Sequence, residues 1–161
     1  PLYYNHKNTG RPLAEGQWFQ KFRSNYLDVS NDPLYPFGFG LSYTTFSYSD
    51  VKLSNTSLKA GQKITASVTV TNTGNKDGKE VVQLYIRDMV GSITRPVKEL
   101  KGFQKIEMEP GESKKVEFTI SVNDLKFYNS NLQYVAEPGD FKVFIGTNSR
   151  DVKEADFKLL H

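Results

Sequence analysis

From residue 46 to residue 159 apolar and polar positions alternate in short runs broken by turn residues, the period of two expected of strands with one face buried. The runs predict strands over 46–53, 63–72, 80–88, 97–108, 113–120, 126–128 with 133–135, 140–146 and 152–159. Between them stand Leu58-Lys59-Ala60-Gly61, Asn72-Thr73-Gly74-Asn75, Glu109-Pro110-Gly111-Glu112 and Glu137-Pro138-Gly139-Asp140, which put Gly or Pro where tight reversals need them. Ile64, Ala66, Val68 and Val70 share one face of their strand, and Thr65, Ser67 and Thr69 the other. The same alternation turns Val82, Leu84 and Ile86 inward and Gln83 and Tyr85 outward; Val116, Phe118, Ile120, Phe141, Val143 and Ile145 complete the inner surface. About seven strands in about 115 residues predict an all-β sandwich.

Residues 1–45 lack this order and read as an arm, leaving 46–161 as the sandwich. Of the 21 aromatic residues, 12 lie within the first 48, a density that requires burial. Trp18, Phe19 and Phe22 suit one short helical turn or an irregular aromatic cluster. Residues 27–36, with Asp28, Ser30, Asn31, Asp32, Pro33 and Pro36, read as loop. The stretch 34–46 carries Tyr35, Phe37, Phe39, Tyr43 and Phe46, too apolar to stand in water, with Gly38 and Gly40 allowing a turn or a close approach. It predicts a strap pressed onto a neighbouring surface.

With 161 residues, 37% of them hydrophobic and 24% charged, the chain has the composition of one soluble globular domain with an appendage, and it has no apolar run of membrane-spanning length. The net charge of +3 is spread thinly: residues 1–48 hold four Lys/Arg against three Asp/Glu, leaving seventeen against fifteen, so nothing marks a nucleic-acid footprint. The absence of cysteine excludes a disulfide framework and thiolate metal sites. Pro1-Leu2-Tyr3-Tyr4 has neither an initiator Met nor a signal sequence, and Pro1 is read as a cut point; His161 is a remnant or a native terminal residue.

Candidate chemistry is sparse. Glu80, Asp88, Glu117 and Asp156 flank strands or alternate outward, and Glu109, Glu112, Glu137 and Asp140 belong to turns, so all eight read as solvated surface charge. His6 and His161 lie at opposite ends, with no nucleophile motif and no metal-ligand spacing. Gly38-Phe39-Gly40 lacks the third glycine and strand-to-helix context of a dinucleotide loop. Asn8-Thr9-Gly10-Arg11-Pro12 is a turn whose Arg11 is either simply exposed or placed to grip a carboxylate on a neighbouring domain. Trp18, Tyr26, Tyr35 or Tyr85 would be the rings of a sugar platform, although large apolar patches more often mark protein contacts.

Several of these segments together resemble family 3 glycoside hydrolases, and most of all the periplasmic β-glucosidases. Tyr4 with Asn8-Thr9-Gly10-Arg11-Pro12 is similar to the segment leaving the family's α/β domain. Tyr35-Pro36-Phe37-Gly38-Phe39-Gly40-Leu41-Ser42-Tyr43-Thr44-Thr45-Phe46 resembles its most recognisable C-terminal signature. Val70-Thr71-Asn72-Thr73-Gly74, Arg95-Pro96-Val97-Lys98-Glu99-Leu100-Lys101-Gly102-Phe103 and Pro110-Gly111-Glu112 follow in matching order.

The resemblance implies a fibronectin type III/immunoglobulin-like sandwich that follows a barrel and an α/β domain. The family's nucleophilic Asp and acid Glu belong to those two domains, so no catalytic residue is carried onto this chain, and no metal or organic cofactor is implied. The expected role is architectural, with Tyr4, Thr9–Pro12, Trp18, Tyr35, Phe37, Gly38, Phe39, Gly40, Leu41, Ser42 and Tyr43 as interdomain residues and the barrel and α/β domains as partners. The alternative is a module binding an oligosaccharide or a protein, and an orphaned arm is also expected to drive homodimerisation. A periplasmic or secreted location follows from the resemblance alone.

Overall fold

The computed structural model describes residues 3–12 and 21–161. Two sheets, antiparallel except where Ser57–Leu58 joins Val152–Leu159, face each other. In the first, β4 (Lys63–Asn72) pairs along one edge with β7 (Ser113–Ser121) and along the other with β1 (Phe46–Tyr48) and β2 (Lys52–Leu53). The second runs in the order β3 (Ser57–Leu58), β11 (Val152–Leu159), β10 (Gly139–Gly146), β5 (Gly78–Asp88), β6 (Glu99–Met108). A small hairpin joins β8 (Phe127–Tyr128) to β9 (Tyr134–Val135). The all-β sandwich expected from the alternation is the observed fold.

The inner faces are those the period of two assigns. Ile64, Ala66, Val68 and Val70 meet Val82, Leu84, Ile86, Phe141, Val143 and Ile145 in one core, with Val116, Phe118 and Ile120 beside them. Register fixes this, since a slip of one residue would turn each strand's apolar set to water.

Local chemistry changes the elements in four places. The strand expected over 46–53 breaks in two: Tyr48 pairs with Val70 but Lys52 with Ser67, a shift of one residue. The Ser49 hydroxyl accepts the Thr69 N–H there, standing in for a ladder partner. Leu58, expected in a turn, is instead a fully buried core residue on the short parallel strand β3, and the reversal lies at Lys59–Gln62. A four-residue 3-10 turn, Val122–Leu125, follows β7 where Asp124 bonds back to Ser121. Phe22 has a φ of 65° and is exposed, so it does not continue a right-handed helical turn; Trp18 and Phe19 lie outside the described residues.

Two carboxylates expected at the surface are withdrawn from water: Glu80 is buried, and Asp88 is half-buried with its side chain 6% exposed. Glu80 is 7% exposed and accepts the Tyr48 hydroxyl at 2.6 Å. Asp88 faces the Arg95 guanidinium at 3.6 Å, and Arg95 also reaches Glu99 at 2.9 Å while lying over the Phe127 ring. Burial raises the Asp88 carboxyl's pKa, with Arg95 opposing. Arg95 thus anchors the β5–β6 loop against the β8–β9 hairpin.

Candidate interdomain surface

The arm lies along the outer face of the five-stranded sheet. On that face Tyr85 of β5 and Phe144 of β10 are register partners, and neither is in solvent. Gln83 and Tyr85 therefore point away from the core, as expected, but into a second buried layer instead of water. Tyr4 closes over them, its ring stacked on Phe37 at 4.1 Å and edge-on to Tyr85 at 5.9 Å. Gln83 donates through Nε2 to the carbonyls of Gly38 and Thr147, at 3.2 and 2.7 Å, and its Oε1 accepts the Tyr85 hydroxyl.

Backbone pairing continues the seam. Val97 N–H donates to His6 C=O and Ser149 N–H to Phe37 C=O, each at 2.9 Å. Lys98 lies 4.4 Å from the Phe144 ring and 5.8 Å from the Tyr85 ring, and its ammonium donates to the Ser149 carbonyl. Burial lowers its pKa and, with Tyr4 nearby, raises that of Tyr85.

At its C-terminal end the strap is latched to the β4–β5 turn by Asn72, which is fully buried. Its Oδ1 accepts the Thr44 hydroxyl at 2.6 Å and Gly74 N–H at 3.1 Å. Its Nδ2 donates to the carbonyls of Lys76 and Met108 at 2.8 and 3.2 Å. The approach is close enough that a Cβ on Gly74 would come within 2.2 Å of Thr44 Oγ1.

The other face of the strap is bare. Leu34 is 82% exposed, Tyr35 68%, Leu41 92% and Tyr43 97%, while Phe37 and Phe39 are partly exposed and Tyr35 packs on Phe39 at 5.1 Å. Along 40–44, Ser42 and Thr44 turn to the sandwich and Leu41 and Tyr43 away from it. Gly38 uses a positive φ of 79°, and Gly40 lines the groove beside the strap.

The upstream turn is tied within the arm. Thr9 Oγ1 accepts Arg11 N–H and bonds the Ser24 hydroxyl, Arg11 C=O accepts Ser24 N–H, and Pro12 bridges to Ser24. Gly10 and Arg11 are exposed. Trp18 lies outside the described residues. The structure thus brings Tyr4, Phe37 and Gly38 together on the sheet, and leaves Tyr35, Leu41 and Tyr43 facing outward.

The family model of the fibronectin type III-like domain matches residues 80–149. The periplasmic beta-glucosidase of Salmonella typhimurium is 53% identical over 99% of this chain, which covers 21% of that protein. A putative beta-xylosidase of Formosa agariphila is 51% identical over 86% of this chain and 18% of its own length. The crystal structure of a Listeria innocua beta-glucosidase in complex with glucose superposes with a TM-score of 0.93 at 41% identity, over 99% of this chain and 22% of that one. The chain belongs to the C-terminal fibronectin type III-like region of the family 3 glycoside hydrolases.

It spans about a fifth of the length of these relatives. Because the likeness to the solved enzyme covers 99% of the chain, it includes the arm as well as the fibronectin type III-like sandwich. Sequence reasoning missed Asn72, Gln83, Lys98 and Phe144 as the sandwich's grip on that arm. The available signal was Phe144 opposite Tyr85, an aromatic pair on a face that alternation assigns to solvent.

Proposed function

We propose that this region is the structural, non-catalytic domain of a family 3 β-glucosidase, and that residues 1–45 carry the chain from the end of a preceding α/β domain onto the sandwich. The observation that supports this best is the two-sided strap: its inner side is bonded to the sheet, and Leu34, Tyr35, Leu41 and Tyr43 stand bare on the other. Apolar groups held this way are surfaces for another protein layer. The barrel and α/β domains of the parent are that layer, and Arg11 of the exposed turn is placed to reach a carboxylate on them.

The parent reaction is retaining hydrolysis of terminal β-D-glucosyl residues by an Asp nucleophile and a Glu acid/base carried elsewhere in the polypeptide. Relatives named for glucosides and for xylosides match this region at 53% and 51% identity, which argues that it does not select the sugar. The periplasmic name of one relative supports an exported location.

The test is to express the rest of the parent polypeptide without this region and to add the 161-residue chain back. Recovery of thermal stability or of aryl β-glucoside hydrolysis is expected, with no hydrolysis by the chain alone. Hydrolysis by the pure chain, or no effect of adding it, refutes the reading.

An oligosaccharide-binding module is favoured by a different observation. Tyr85 is buried and provides no platform, but Tyr128 and Tyr134 form an exposed ring pair at 4.9 Å on the β8–β9 hairpin. Saturable chemical-shift changes there on adding cello- or laminari-oligosaccharides would support binding; their absence leaves the structural role. A dimer formed by the separated chain through the strap would disappear when Leu41 and Tyr43 become serine.

A further inference from the structure

Where β1 parts from β10 and β11, a groove of about 510 Å³ opens beside the strap, lined by Ser42, Thr44, Tyr48, Glu80, Asp151 and Lys153 among others. Glu80 of β5 lines it. Glu80 is 7% exposed, and the one side-chain bond to its carboxylate among the described residues is from the Tyr48 hydroxyl. Burial and Glu80 itself push the ionisation of Tyr48 far upward, so the donor is neutral. No cation pairs with Glu80 among the described residues; Lys153 on the rim pairs with Asp50 at 3.6 Å. Asp151 on the same rim faces Arg150 at 3.7 Å and accepts Asn148 Nδ2. A buried carboxylate is retained where a cation completes it.

We infer that the Glu80 groove receives a Lys or Arg side chain from the remainder of the parent polypeptide, forming a buried interdomain ion pair. This rests on the docking reading above. Ser42 and Thr44 of the groove lining alternate along the strap with Leu41 and Tyr43, its most exposed residues, so a polypeptide that covers those two lies beside the groove that holds Glu80. The relatives extend well beyond this region, which supplies a polypeptide to do so. The Glu80 carboxylate, on which no cation sits among the described residues, calls for positive charge, and its 7% exposure calls for a side chain long enough to reach in from the mouth.

The experiment measures binding of the 161-residue chain to the remainder of the parent polypeptide, for wild type, Glu80→Gln and Tyr43→Ser. Gln keeps a carbonyl acceptor for Tyr48 and replaces the charged carboxylate by a neutral amide of nearly the same shape. Glu80→Gln is expected to weaken association roughly 30-fold or more. In the chain alone the same substitution leaves the urea midpoint unchanged or raises it, because an unpaired buried charge is removed. A purely structural Glu80 would instead lower the midpoint of the chain alone, which overturns the inference. Binding weakened by Tyr43→Ser but not by Glu80→Gln overturns it while sparing the docking reading. Failure of the wild-type chain to bind removes both.

Discussion

Asn72→Ala isolates the latch that holds the strap. The side chain makes four hydrogen bonds from a fully buried site, to Thr44, Gly74, Lys76 and Met108. Truncation strands two carbonyls, one N–H and one hydroxyl. At about 1 kcal/mol per net bond, and more for each group left dry, the loss is about 3–5 kcal/mol. That is a large fraction of a typical domain stability of about 5–15 kcal/mol. Thr44→Val, nearly isosteric, removes one of the four bonds and should cost about 1 kcal/mol. Asn72→Asp keeps both acceptor bonds, but aims a carboxylate at two carbonyls, and is expected to be no better than Asn72→Ala. Urea unfolding followed by far-UV circular dichroism reads all three. With a slope of about 2 kcal/mol per molar, Asn72→Ala lowers the midpoint by roughly 1.5–2.5 M. A loss below about 1 kcal/mol for Asn72→Ala, or equal losses for Asn72→Ala and Thr44→Val, would show that the turn holds without this network.

Gly38→Ala adds a Cβ that would sit 2.1 Å from Gln83 Oε1 at a φ of 79°, so it should loosen the seam by about 1–3 kcal/mol and speed amide exchange at Ser149, whose N–H bonds Phe37. Removing residues 1–45 should preserve strand content by circular dichroism while uncovering Tyr85 and Phe144, read as new binding of a hydrophobic dye; loss of strand signal would place the arm in the folding core. Acid sensitivity has a definite sign. Ser92 bonds hold the Glu137 carboxyl below its ordinary 4.5, so their contribution is complete above that value and is lost as the pH falls through the lowered one. Asp88, raised from its ordinary 3.8 by burial, acts oppositely, so Glu137→Gln should flatten the acid limb of a urea-midpoint profile below about pH 4.5, and an unchanged limb would refute the assignment.

The core was legible because alternation reports burial of one face, and the inner residues from Ile64 to Ile145 follow it. What alternation cannot report is a second cover. Gln83 and Tyr85 sit at outward positions, and they are covered by the arm, some 45–80 residues away in sequence, together with Thr147 and Lys98. Glu80 was misread for a related reason: it continues the inward set of Val82 and Leu84 at the strand's end, where it takes the Tyr48 hydroxyl from the facing sheet and lines the groove beside the strap. Asn72 looked like a turn residue. It does close a turn, but through a side chain that also captures Thr44, a contact across 28 residues that no local pattern encodes. The outward strap residues were legible as candidates for docking from their apolar character alone.

The strap's two sides are energetically linked. Leu41 and Tyr43 are nearly fully exposed, yet the backbone carrying them is fixed by Thr44 on Asn72 at one end and by the carbonyls of Phe37 and Gly38 at the other. A free strap would lose about 1–2 kcal/mol of backbone entropy per residue on docking. Here that ordering occurs when the sandwich folds, so docking of the kind proposed above would retain more of the free energy of burying the exposed side chains. It follows that weakening the Asn72 latch should weaken docking without touching the docked face. Asn72→Ala and Tyr43→Ser should therefore both reduce association, the first through disorder of the strap and the second through lost contact. Only the first should accelerate amide exchange in residues 37–45 of the unbound chain, and equal exchange in the two variants would sever the link between latch and surface.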